Sequence, residues 1–113
     1  MGGAQVRELD AVVVNFDAGR YRACVGPLER LYFEGRDPGF KALIQLSVAL
    51  LQLEHGLTSG PAYLLSSSQR LLEETRPDFA GLDIARVKRD AAKVERWLHG
   101  GRRGARPQVI LAQ

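Results

Sequence analysis

Between Phe40 and His55 ten of sixteen residues are apolar, and on a helical wheel they occupy nearly every side. A helix without a polar face is stable in water only if other elements wrap it. Gln45, Ser47 and Gln52 interrupt the run, and its most apolar part, Ala42 to Leu53, is about 12 residues long. That is too short and too polar to cross a bilayer, so the wrapping must be protein. A chain of 113 residues, 45% hydrophobic, supplies it from one domain; it is too short for two cores and too apolar for disorder. A domain of this size buries roughly two-thirds of the surface of its unfolded chain and needs no metal or disulfide to fold. The lone Cys24 agrees with a reducing compartment. The first five residues lack the basic and apolar regions of a signal peptide, so a cytoplasmic location is expected.

The rest of the chain reads as four further helices, with no sustained strand alternation. Val6, Leu9, Val12, Val13 and Phe16 form one stripe, ending at a turn where Gly19 suits a left-handed cap. A second helix is expected from about Arg20 to Phe33, with Tyr21, Cys24, Leu28, Leu31 and Tyr32 inward. Gly26-Pro27 either kinks it or breaks it, because proline lacks a donor and crowds the carbonyl of Ala23; the kink is favoured. Asp37-Pro38 is a cap followed by a first helical residue, opening the apolar third helix, which Gly56 closes. A fourth helix starts from Ser59 or Gly60 and Pro61, with Leu64, Leu65, Ser68, Leu71 and Leu72 inward, and stops at Arg76-Pro77. Asp83 caps a fifth, with Ile84, Val87, Ala91, Val94 and Leu98 inward and Trp97 at the edge. The fold class is therefore all-α, an antiparallel bundle of about five helices around a central apolar one. Residues 1–5 read as a flexible N-terminus, 6–99 as the helical domain and 100–113 as a flexible basic tail. Val109-Ile110-Leu111 is unusually apolar for such a tail and suits docking on this chain or on a neighbouring copy.

The net charge of +3 is unevenly placed. Residues 1–82 carry eight Lys or Arg against ten Asp or Glu, whereas residues 83–113 carry eight against three. Arg86, Arg89, Lys93 and Arg96 recur at helical spacing, and Arg102 and Arg103 follow, a pattern that could track a nucleic-acid backbone. The simpler reading is a solvated outer face, partly neutralised by Asp90 and Glu95.

Signals for catalysis are sparse. His55 and His99 fall at helix ends, where an imidazolium favours the helix dipole, and with Cys24 they make no metal-ligand spacing. Ser66-Ser67-Ser68 lacks a nucleophile elbow, and no phosphate-binding glycine loop follows a strand. Tyr21, Glu29 and Gln45 could meet between the second and third helices as a polar pocket, or could merely fix helix register or reach solvent. No cofactor and no metal is expected.

Asn15-Phe16-Asp17-Ala18-Gly19-Arg20-Tyr21-Arg22-Ala23, Leu28-Glu29-Arg30-Leu31-Tyr32, Ala42 to Leu50 and Gly81-Leu82-Asp83 together resemble the family called domain of unknown function 309, over about residues 6–98. The resemblance implies a small, all-helical, prokaryotic protein of a family without an established activity. That family's second helix carries a His-Glu-x-x-Glu stretch after its Tyr. Here Val25 and Gly26 stand at the His and first Glu, Glu29 keeps the second Glu, and Tyr32 replaces a Trp. Loss of the imidazole and one carboxylate argues against transferring any metal or acid–base chemistry. The expectation is a non-catalytic, self-associating or partner-binding module of a bacterial cytoplasm; nucleic-acid binding through the basic stripe is the alternative, and an enzyme pocket comes last.

Overall fold

A computed structural model describes residues 3–113, with side chains from Val6 onward. Residues 1 and 2 of the expected flexible N-terminus lie outside the described residues; the other three, Gly3 to Gln5, are helical backbone. Five helices form among the described residues: α1 (Gly3–Asp17), α2 (Arg22–Gly35), α3 (Pro38–Glu54), α4 (Ser59–Glu73) and α5 (Ile84–His99). They pack antiparallel in chain order, and the main helix–helix contacts join only successive helices. The body measures 43 × 25 × 23 Å.

Helix α3 is the middle of the array, and nine of its residues are buried, from Gly39 and Phe40 through Leu43, Leu46 and Leu50 to Leu53. Asp37 accepts the Gly39 N–H at 2.9 Å and Pro38 opens the helix, so one orphan donor is satisfied and another is absent by chemistry. Buried Ser47 donates to the Leu43 carbonyl and buried Ser68 to that of Leu65, each at 2.8 Å. The serines of α3 and α4 therefore cost no unsatisfied hydroxyl while keeping the side chains small at the core.

Helix α2 departs from its expected outline. It begins at Arg22, with Tyr21 at the cap position but giving no side-chain cap bond, and it runs to Gly35. The chain does not break at Gly26-Pro27: Pro27 lies inside a continuous helix. The lost hydrogen bond is tolerated because Cys24, Leu28 and Leu31 anchor both sides of it in the core. Arg36 ends α2 in the left-handed conformation (φ 56°), and its guanidinium lies over Tyr32 and Phe33 at 5.6 and 4.9 Å. Helix α4 starts at Ser59 with Thr58 before it, two residues ahead of Pro61. Two ion pairs brace neighbours, Arg30–Glu8 between α2 and α1 (2.7 Å) and Lys88–Glu73 between α5 and α4 (3.0 Å).

The stretch between α4 and α5 is not an idle loop. A 3-10 turn, Phe79–Gly81, buries Phe79 edge-on against Phe40, with ring centroids 4.8 Å apart. Gly39 is what lets the ring in, since a Cβ there would come within 2.5 Å of it. Asp83 then caps α5 through the Arg86 N–H, as its position suggests.

Residues 105–113 overturn the expectation of a flexible tail. They run without regular secondary structure back across the molecule, with Val109 and Leu111 fully in the core. The apolar end of the chain thus docks on the chain's own body, and Leu111 belongs to the same apolar cluster as Phe16, Leu50 and Val87.

Gly39→Ala is expected to destabilise the protein by about 1–3 kcal/mol, because the added methyl meets an aromatic ring with little room to retreat. Urea unfolding measures this. In a Phe79→Leu background the same substitution should cost less, since the obstructing ring is gone.

Candidate functional site

A cluster of polar contacts holds the chain from Gly104 to Gln113. At the end of α1 the Asp17 carboxylate accepts two successive main-chain N–H groups, Leu111 at 2.7 Å and Ala112 at 3.0 Å. From α5, Asp90 accepts the Ile110 N–H at 3.3 Å, and Arg86 donates through Nη2 to the carbonyls of Ile110 (3.3 Å) and Ala112. Trp97 donates its indole N–H to the Gly104 carbonyl at 3.2 Å, and Gln113 donates to the Gly81 carbonyl. Arg106 stacks on Tyr21 (5.7 Å to the ring centroid) and donates to its hydroxyl at 3.2 Å. Side chains of α1 and α5 therefore read the backbone of an irregular segment, while Val109 and Leu111, two apart, fill the core beneath it.

An aspartate at a helix C-terminus faces the negative end of the helix dipole and is unfavourable there by itself. Two charge-assisted hydrogen bonds explain its presence. The same carboxylate touches the chemistry of Cys24. That thiol is wholly buried, donates towards the carbonyls of Val12 and Arg20, and is pushed up to about 11 by burial first and by Asp17 second, against Arg20. Burial likewise raises the Tyr21 phenol, with Arg106 opposing. Both groups are neutral packing elements at ordinary pH, not nucleophiles.

Beside the docked segment lies an open groove of about 500 Å³ between α1 and the 3-10 turn. Leu9, Val13, Val14, Leu82 and Leu111 give it an apolar lining, with Asp10 and Gln113 as its polar side chains. Val14 on its wall is 62% exposed, and Val6, two helical turns earlier on α1, is also exposed.

The residues singled out from sequence are distributed differently. Tyr21 is buried and occupied by Arg106, Glu29 is exposed on the outside of α2, and Gln45 is half-buried with its Oε1 buried and unpartnered. None of the three lines the groove, and no hydrogen bond among the described residues joins them. Arg86 is withdrawn from the basic stripe because it is half-buried and spent on the docked segment. Arg89, Lys93, Arg96, Arg102 and Arg103 remain exposed. Among the described residues no group of three or more His, Cys, Asp or Glu could hold a metal ion, and no helix is long and apolar enough to cross a membrane. Asp17 was the residue that sequence reasoning passed over; its charge at the wrong end of a helix was the available signal.

Two measurements follow from these contacts. Leu111→Ala should lower stability by about 2–4 kcal/mol and Asp17→Asn by about 1–3 kcal/mol, since the first empties a core site and the second turns an acceptor into a donor facing an N–H. Chemical denaturation checks both. Because the folded Cys24 thiol titrates near 11 against an ordinary 9.0, its contribution is complete below pH 9 and is lost as pH rises through about 11. Unfolding free energy should therefore fall over that window, and the fall should be shallower in Cys24→Ser; a thiol reagent at pH 8 should label the protein only as it unfolds.

Set against family models, curated proteins and solved structures, the chain matches none of them.

Proposed function

We propose that this protein is a non-catalytic helical interaction module whose contact surface is the apolar groove along α1. The observation that carries this reading is the groove itself: an open, mainly aliphatic channel with exposed Val14 on its wall and no convergent set of polar groups inside. Tyr21 and Cys24, the groups nearest to a reactive constellation, are consumed by packing. The resemblance to the domain of unknown function 309, with Val25 and Gly26 where that family carries His and Glu, supports an adaptor over an enzyme. A bacterial cytoplasm suits a chain whose one cysteine is a buried free thiol.

Val14→Glu tests the reading cleanly, because a substitution at so exposed a helix position should change stability by no more than about 0.5 kcal/mol. A photo-crosslinking residue at position 14 should capture a discrete protein in the native host, and the same residue at exposed Arg70 on α4 should not. Equal, diffuse labelling from both positions would refute the groove as a contact surface.

A second reading rests on Arg89, Lys93, Arg96, Arg102 and Arg103, which are exposed and in no ion pair among the described residues. If they bind a nucleic-acid backbone, association with duplex DNA or RNA should weaken steeply with salt, and reversing Lys93 and Arg96 together to Glu should abolish it. Absence of binding at physiological salt removes this alternative.

A further inference from the structure

Along the chain, charge divides near residue 83, acidic before it and basic after it. The fold divides charge differently. Arg106 donates to the Tyr21 hydroxyl at 3.2 Å and lies over its ring, which ties the turn after α5 to the connection between α1 and α2. Arg20 and Arg22 flank Tyr21 there, and both are exposed. Antiparallel packing in chain order brings the end of α1, the start of α2 and the end of α5 to one end of the bundle. That end therefore gathers Arg20 and Arg22, from the acidic part of the chain, with Arg96, Arg102, Arg103 and Arg106 from the basic part. Glu54 and Glu95 oppose them, while the Asp17 carboxylate is committed to the N–H groups of Leu111 and Ala112. We propose that this end of the bundle binds the phosphodiester backbone of a nucleic acid, with Arg20 and Arg22 as contacts alongside Arg102 and Arg103. The inference rests on the second reading above, in which the cations of α5 meet such a backbone, and extends it to residues outside that stripe.

Three observations favour this partner. The cations form a series: Arg89, Lys93 and Arg96 climb about 10 Å along α5. Arg102 and Arg103 follow in the turn, and Arg20 and Arg22 lie across the Arg106–Tyr21 contact. Charges spread over three elements suit a line of phosphates better than a single anion, and arginine takes phosphate oxygens bidentately. Secondly, the turn is held in place. Trp97 donates its indole N–H to the Gly104 carbonyl at 3.2 Å, and the Arg102 N–H donates to the Trp97 carbonyl at 2.9 Å. Arg102 sits in the left-handed region (φ 59°), where a side chain is strained. Arg36, similarly placed (φ 56°), gains its stacking on Tyr32 and Phe33. The Arg102 side chain makes no hydrogen bond, ion pair or ring contact among the described residues, so its partner is sought outside the chain. Thirdly, none of the exposed large apolar residues, Val6, Val14, Phe33, Leu57 and Tyr63, belongs to segments 20–22 or 89–106. Surfaces that bind anionic bilayers set apolar side chains beside their cations.

Fluorescence anisotropy of the full-length chain with short labelled duplex DNA and single-stranded RNA, from about 50 to 200 mM salt, tests the site and separates the two sources of the backbone. Arg20→Gln with Arg22→Gln should weaken binding by about tenfold or more and lower the slope of log affinity against log salt by about 1–2. Lys41→Gln with Arg70→Gln removes the same charge from exposed positions near the far end of the bundle and should change neither. Arg20 also donates to Asn15 at 2.9 Å, so Arg22→Gln alone serves as the second variant, and its slope should fall by about 1. Arg102→Gly removes charge and strain together; it should weaken binding while the urea midpoint holds or rises. If Lys93→Glu with Arg96→Glu abolishes binding while the Arg20 and Arg22 variants keep the unmodified affinity and slope, the inference is overturned and the α5 reading stands. Absence of binding to both probes at physiological salt removes both. Tighter association with phosphatidylserine vesicles than with either probe, at equal salt, overturns the inference in favour of a bilayer.

Discussion

A carboxylate at the end of the first helix, Asp17, joins the two ends of an otherwise sequential array. Because helices contact mainly their neighbours in the chain, α1 and α5 share no substantial packing of their own. The segment 105–113 crosses between them, with Asp17 holding it from one side and Arg86 and Asp90 from the other. Its aliphatic side chains then extend the core cluster past the last helix. Asp17 and Arg86 complement each other along the segment, since the carboxylate only accepts, the guanidinium only donates, and an extended backbone offers both kinds of group. The apolar groove exists because this closure is partial, leaving Val13 and Val14 beside Leu111 with room to spare.

Much of this was legible in the sequence, and the legible parts share a cause. An apolar run with no polar side, Asp37 before Pro38, Asp83 before an amphipathic stripe, and glycine at the ends of α1 and α3 are all local signals, with cause and effect a few residues apart. They define the helices and place α3 at the centre. Where local signals competed, packing decided: Pro27 is a helix breaker by propensity, yet Leu28 and Leu31 carry α2 through it.

What was not legible depends on partners far away in the chain. Asp17 meets Leu111 across 94 residues and Arg106 meets Tyr21 across 85, and no periodicity encodes either pairing. Phe79 sits in a Pro- and Gly-containing linker, and its role appears only once Gly39 is seen to leave space for it. Arg86 matched the spacing of Arg89, Lys93 and Arg96, but from the stripe's edge it turns to the carbonyls of the docked segment. The alternation Val109-x-Leu111 was the visible clue that the last residues pack instead of drifting. Of the site candidates Tyr21, Glu29 and Gln45, Tyr21 is buried beneath Arg106 and Glu29 is exposed on α2, a difference in burial that residue type alone does not encode.

Amide hydrogen exchange at Ile110, Leu111 and Ala112 tests the central claim most directly. If Asp17 and Asp90 hold these N–H groups, all three should be strongly protected and should open together with core amides of α5 such as that of Val94. Exchange at the rate of an unstructured peptide, with α5 still protected, would contradict the account and return the last residues to solvent.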